Sequence, residues 1–428
     1  MSLCRCYGHA KRVLSGSIVT SFIALWMVSQ MQVMASDLKS TFAENRLTKS
    51  DSILVVEILP NGQQVTRFEW QSEKLLIPAS LSKLVTTHVA LDIWGKDYRF
   101  ETNFYRDENT LWVKGFGDPF LVSEELEEIA KNLTEFDLKG IRQIAIDSTY
   151  FKDVGVPGRS KVVDPYNAPL NAVSANFNTT MLAFVDKQIV SAEPQTPLTP
   201  TASRVAKRTR LVEDGDAERV NLVDSSNAAS HFGELLMLKL GLDKTTVLTG
   251  VKVPDQLDSF YVHKNSRNMA TNIRGMMEYS NNFIANQLFL SVSGARGIRD
   301  PEDAIDNNEK PGASFRASQT LIRKNLVDTF GWDDFSVLEG AGLSRQNRLS
   351  AVQINDLLTS LQQVNYLFKD YSNRGASIRA KTGTLNGVRS FAGYISKGDR
   401  SFQFVFNFNR HVPYRYREAL LRNLTATL

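Results

Sequence analysis

Three short clusters in this 428-residue chain carry residue types that could do covalent chemistry: Ser80-Leu81-Ser82-Lys83, Ser280-Asn281-Asn282 and Lys381-Thr382-Gly383. A serine hydroxyl is a weak nucleophile until a base takes its proton, and an amine one helical turn away can do so if it is uncharged. Partial burial and a second ammonium, Lys381, both disfavour the charged form of Lys83, which makes it the candidate general base. Ser280 can relay the proton to a leaving amine, while Asn282 offers an acceptor and donors to a substrate amide. Lys381 and the Thr382 hydroxyl suit a substrate carboxylate, and Gly383 lets a substrate backbone lie close to its strand. The backbone N–H groups of Ser80 and Thr384 could complete an oxyanion hole.

Taken singly, each cluster has a bland alternative: Ser80 as a helix cap, Ser280 and Asn282 as a polar kink, Lys381 to Gly383 as a turn. Decoys also exist, at Ser36-Asp37-Leu38-Lys39 for the first pattern and at Ser174-Ala175-Asn176, Ser225-Ser226-Asn227 and Ser266-Arg267-Asn268 for the second. Context separates them. Ser80 follows Pro78-Ala79 and opens a helix running to Trp94, so its hydroxyl sits at the positive end of the helix dipole. Ser280 lies within Ile273–Leu290, an apolar segment that reads as a core-facing helix. Lys381 falls in the first of three strand patterns, Ile378–Thr384, Val388–Ser396 and Ser401–Asn409, which precede a helix over Pro413–Leu424. At the other end, Ile53–Ile58 and Val65–Trp70 flank Pro60-Asn61-Gly62, a hairpin signal. Segments from both ends of the chain can therefore build one antiparallel sheet flanked by helices, an α+β arrangement that would bring the three clusters together.

The remaining sequence bounds the setting. Arg5, Lys11 and Arg12 precede an apolar run from Val13 to about Val28, and Val33-Met34-Ala35 has signal-peptidase spacing, so residues 1–35 read as an export signal; a retained membrane anchor is the alternative. Losing them leaves 47 basic against 46 acidic residues, which gives no reason to expect a nucleic-acid partner. Cys4 and Cys6 would leave with the signal, so the rest has no disulfide or thiolate metal site. His88, His231, His263 and His411 are scattered without ligand spacing, and neither a metal nor another cofactor is expected. Between Phe100 and Asp258 come short strands such as Leu111–Lys114 and Gln143–Asp147, and Ala192–Val220 reads as a loop or small subdomain. Arg204, Lys207, Arg208 and Arg210 form a basic cluster. The C-terminal helix carries Arg415, Arg417 and Arg422 beside Leu420, Leu421 and Leu424; packing on the sheet is preferred over weak membrane-surface contact.

With these segments in view, the sequence resembles the class C low-molecular-mass penicillin-binding proteins, D-alanyl-D-alanine carboxypeptidases and endopeptidases. The resemblance rests on Pro78-Ala79-Ser80-x-x-Lys83, Tyr279-Ser280-Asn281-Asn282, Gly340-Ala341-Gly342-Leu343-Ser344-Arg345-x-Asn347-Arg348 and Lys381-Thr382-Gly383-Thr384-Leu385-Asn386-Gly387-Val388, with Gly115-Phe116-Gly117-Asp118-Pro119 and Ile144-Ala145-Ile146-Asp147 in the middle. It implies a transpeptidase/β-lactamase-like domain from residues 36–99 and 259–428, interrupted by a mainly β insertion over 100–258. It also implies peptidoglycan stem peptides as substrates, β-lactams as covalent inhibitors, and Asp147 and Arg345 near the substrate side chain; the export signal and the lack of disulfides fit a bacterial periplasm or outer surface. Three departures are Glu339-Gly340-Ala341-Gly342 where the family has Asp-Gly-Ser-Gly, Phe116 where the family has a more Gly-rich run, and a short interval from Ser80 to Ser280. A serine β-lactamase or esterase, and an inert peptidoglycan-binding protein, are the rival functions. The oligomeric state is not readable.

Overall fold

The computed structural model describes residues 47–295 and 312–428 apart from 210 and 374, together with Leu38, Ser40 and Phe42. The expected export signal, both cysteines, and Ser36 and Lys39 of the first decoy lie outside the described residues.

The two ends of the chain do share one antiparallel sheet. Its strands run, in spatial order, Lys369–Asp370, Ser377–Leu385, Val388–Lys397, Arg400–Phe408, Asp51–Ile58 and Gln64–Trp70. N- and C-terminal segments meet where Asp51 pairs with Phe408 and Ile58 with Ser401. Gly62, at φ +84°, closes the hairpin between the first two strands in sequence, donating its N–H to the Leu59 carbonyl at 2.8 Å.

Alternation along each strand sends side chains to both faces, and both are covered. Phe402, Phe404, Phe406 and Phe408 join Ile53 and Val55 beneath Leu420, Leu421 and Leu424 of the C-terminal helix. Leu54, Val56 and Val405 face the other way, into a larger core with Leu84, Val85 and Val89 of helix Ser82–Trp94 and Leu288 and Phe289 of helix Asn282–Ala295. Each such buried side chain contributes about 1.5–3 kcal/mol. The C-terminal helix thus packs on the sheet. It spans Tyr416–Thr427, three residues later than expected, because Pro413 sits in the turn before it.

The middle of the chain is mainly β, with helices on its connections. A five-stranded sheet runs Ser259–Asn268, Arg99–Arg106, Thr110–Gly115, Gln143–Asp147 and Thr246–Thr249, and its last two pairings are parallel. Parallel neighbours need crossovers, and helices Ser123–Leu133 and Ser225–Lys239 lie on those connections, burying Leu126, Ile129, Leu133, Phe232, Leu235 and Leu236. Strand Ser259–Asn268, grouped by sequence with the C-terminal part, pairs instead with Arg99–Arg106. Ala192–Val220 belongs to a small unit in which strands Gln188–Ser191, Thr179–Val185 and Ala217–Asn221 cover helix Pro200–Ala206. At seven residues that helix is too short to show a periodic pattern. Thr199 caps its N-terminus and Pro200 follows, as helix starts favour. Among the described residues no helix is long and apolar enough to cross a membrane.

Candidate active site

Ser80 does not open the α-helix, as expected, but sits in a tight turn, Ala79–Leu81, just before helix Ser82–Trp94. Two glycines make room for that turn. A Cβ on Gly342, at φ +85°, would lie 1.9 Å from the Ala79 carbonyl oxygen, and one on Gly383 would lie 2.9 Å from the Ser80 nitrogen. The sheet holds the turn from below: the Ser390 hydroxyl donates to the Pro78 carbonyl at 2.7 Å, and Asn409 bonds both the N–H and the carbonyl of Ile77.

The second motif also differs locally from the sequence reading. Instead of one helix over Ile273–Leu290 there are two, Met269–Tyr279 and Asn282–Ala295. Ser280 breaks the run in a left-handed conformation at φ +53°, and the Asn281 side chain accepts from the Ile284 N–H to start the next helix. That break is what turns Ser280 and Asn282 toward the other motifs.

The contacts then assemble by themselves. Lys83 is fully buried, and its Nζ lies 3.2 Å from Ser80 Oγ, 2.7 Å from Asn282 Oδ1 and 2.8 Å from the Ala341 carbonyl oxygen. A neutral amine has two N–H donors and one lone pair. The two acceptor-only oxygens take the donors, which leaves the lone pair for the serine hydroxyl. Asn282 is held in the matching orientation because its Nδ2 donates to the Tyr166 carbonyl at 3.1 Å. Burial pulls Lys83 down from 10.5 to about 7, against an opposing pull from the Glu339 carboxylate. Lys381 donates to Ser280 Oγ at 2.8 Å and to the Thr382 carbonyl at 2.7 Å. Burial, then the charges of Lys83, Arg417 and Lys369, push it well below the ordinary lysine range.

Glu339 is a participant that sequence reasoning passed over. It is fully buried, and it accepts from the N–H groups of Ala341, Gly342 and Ser344 and from Asn347 Nδ2 at 2.8–3.1 Å. It therefore shapes the loop whose Ala341 carbonyl meets Lys83. The signal was present as an acid immediately before Gly-Ala-Gly, noted only as a departure from the family pattern.

Thr382, Gly383 and Thr384 follow Lys381 along strand Ser377–Leu385, with the Thr384 side chain exposed. Arg345 donates to the Asn386 carbonyl at 2.9 Å and lines a cavity of about 650 Å³ with Pro157, Leu343 and Leu385, at the far end of the same strand. Asp147 is different. Its side chain has no exposed surface: Oδ1 accepts from the Thr149 N–H and hydroxyl, and Oδ2 faces the Val253 N–H at 3.0 Å and Lys114 Nζ at 3.2 Å. In this structure the cation that faces the carboxylate is Lys114. Among the described residues no group of His, Cys, Asp or Glu could hold a metal.

Residues 34–374 match the D-Ala-D-Ala carboxypeptidase 3 (S13) family. The chain belongs to that family. A D-alanyl-D-alanine carboxypeptidase from Actinomadura sp. (strain R39) is 20% identical over 461 residues, covering 89% of this chain and 82% of the relative. Penicillin binding protein 4 from Haemophilus influenzae superposes with a TM-score of 0.67 at 20% identity, over 91% of this chain and 97% of that one. The same protein complexed with a β-lactam gives 0.63. A predatory endopeptidase from Bdellovibrio bacteriovorus, in complex with its immunity protein, gives 0.51 at 15% identity over 88% and 90% of the two chains. The fold is that of the penicillin-binding proteins, and the chain is a serine-type D-Ala-D-Ala peptidase. The family match ends before Lys381, so the third motif enters the site through its contacts with Ser280.

Proposed function

We propose that the chain cleaves the D-alanyl bonds of peptidoglycan stem peptides, as carboxypeptidase, cross-link endopeptidase or both, through an acyl-enzyme on Ser80. The observation that carries this is the environment of Lys83 Nζ: two acceptor-only oxygens at 2.7 and 2.8 Å and the Ser80 hydroxyl at 3.2 Å. In the proposed sequence, neutral Lys83 takes the Ser80 proton as Oγ attacks the penultimate D-alanine carbonyl. The oxyanion is received by the N–H groups of Ser80 and Thr384. Lys381, with the Thr382 hydroxyl, holds the substrate carboxylate, whose negative charge favours the ammonium form that burial disfavours. Ser280, whose oxygen accepts from Lys381, relays that proton from Lys83 to the departing nitrogen, giving up its own and taking the Lys83 one, so that Lys83 is neutral again for the deacylating water. The C–N bond breaks, the amine leaves, and water hydrolyses the ester to restore Ser80.

Arg345, beside its cavity, is the candidate contact for the substrate side chain. β-Lactams would acylate Ser80 by the same steps and be released slowly. Export through residues 1–35 would place the enzyme in the periplasm with its substrate. The test is incubation with monomeric pentapeptide muropeptides and with cross-linked dimers, followed by chromatography. Released D-alanine or dimer-to-monomer conversion, absent in Ser80→Ala, supports the reading. Rapid turnover of benzylpenicillin with no muropeptide cleavage would favour a lactamase instead.

A further inference from the structure

We propose that Arg417, on the C-terminal helix, is a positioning residue that orients and polarises the peptide unit whose N–H forms half of the oxyanion hole. The inference rests on the acyl-enzyme reading above.

Gly383 carbonyl and Thr384 N–H belong to one planar trans peptide, so they point in opposite directions. Thr384 N–H is the proposed oxyanion donor. On the far side, the Gly383 carbonyl accepts from Arg417 Nη1 at 2.7 Å. The same nitrogen lies 3.1 Å from Thr384 Oγ1 and 3.2 Å from the Ser390 carbonyl oxygen, bridging two neighbouring strands at the register Gly383 opposite Ser390. A charged donor on the carbonyl end of an amide draws density from the group and strengthens its N–H as a donor.

Orientation matters as much as charge. Gly383 must lack a side chain because the strand runs against the serine turn, and glycine is the residue with the most backbone freedom. A rigid, permanently charged fork restrains that freedom. The clamp is itself anchored: Leu420, Leu421 and Leu424 of its helix are buried, and Arg417 Nε bonds Glu418 Oε1 at 2.9 Å. Its side chain is only 13% exposed. From sequence Arg417 read as one cation on a basic helix face; the structure turns it inward beneath the third motif. Its charge also adds to those that depress Lys381.

The test compares Arg417→Met and Arg417→Lys with the unaltered chain. Benzylpenicillin concentration series separate pre-covalent binding from the acylation rate constant. The infrared carbonyl stretch of the penicilloyl ester reports oxyanion-hole bonding directly. Arg417→Met should lose about tenfold to a hundredfold in the acylation constant, short of the roughly 10²–10³ for removing a donor outright. Pre-covalent binding should hold, and the ester stretch should move to higher wavenumber. Arg417→Lys, which keeps a cation within reach of Gly383, should recover part of both. Unaltered acylation and stretch in Arg417→Met would overturn the proposal. So would a rate loss with an unmoved stretch, which marks a purely structural role. Should Arg417→Met fail to fold, Arg417→Gln answers on the same two readouts. If the unaltered chain forms no adduct at all, it is the acyl-enzyme reading that fails, not this one.

Discussion

Lowering the pH should switch off acylation of Ser80 by charging Lys83. Burial, only partly opposed by Glu339, leaves this amine titrating at about 7 instead of 10.5. It is then about half neutral at pH 7 and about 1% neutral at pH 5, so acylation should fall roughly fiftyfold between them. With an ordinary lysine the neutral share at pH 7 would be only about 0.03%. Burial therefore supplies on the order of a thousandfold in active base at neutral pH. Glu339→Gln sharpens the test, since its carboxylate raises Lys83: removing it should carry the acid limb to still lower pH, at some loss of loop stability. Acylation by a fluorescent penicillin, followed from about pH 5 to about pH 9, reads both effects. A rate that is flat down to pH 5, one that climbs only toward the ordinary lysine range, or an acid limb that moves upward in Glu339→Gln would refute this account of the base.

Three further outcomes follow from contacts already described. Lys83→Met should abolish acylation; because the native amine is neutral above about pH 7 and the unfolded one only above about 10.5, stability of the unaltered protein should also rise with pH across that window, a slope that the variant loses in denaturant titrations. Gly383→Ala would place a Cβ 2.9 Å from the Ser80 nitrogen, so penicillin acylation should drop on the order of a hundredfold while far-ultraviolet dichroism stays native. Asp147→Asn should cost about 1–3 kcal/mol in chemical denaturation at neutral pH. Burial raises that carboxyl, but Thr149, the Val253 N–H and Lys114 together hold it below the usual range, so its contribution is present above the unfolded value near about 4 and fades as the pH drops below it. Lost muropeptide cleavage with unchanged stability would instead mean that Asp147 faces substrate.

The sheet was legible because its strands announce themselves: Phe402, Phe404, Phe406 and Phe408 at every second position, and a Pro-Asn-Gly turn between two β-branched runs. The three motifs were legible only together: each alone has a bland reading and decoys, and it was their order and the elements beneath them that set them apart. What stayed hidden depended on contacts across long separations. No local pattern shows that Ser280 breaks a helix, since the flanking apolar residues continue the period on both sides. The crossover helix Ser225–Lys239 was hidden among short strands, and its parallel pairings are visible only once Gln143–Asp147 has neighbours on both sides. The Asp147–Lys114 pair stayed hidden because its members stand on two different strands. Arg417 looked like surface charge because its acceptor, the Gly383 carbonyl, is a backbone atom that no sequence pattern marks.

The central claim is that segments carrying residues 80, 280 and 381 converge to make Ser80 a nucleophile. Intact mass and tryptic peptide mapping after incubation with benzylpenicillin address it most directly. The account predicts one penicilloyl adduct per chain, on the peptide bearing Ser80, absent from Ser80→Ala and Lys83→Met and slowed in Asn282→Ala. No adduct on the folded protein, or an adduct that persists in Ser80→Ala, would contradict it.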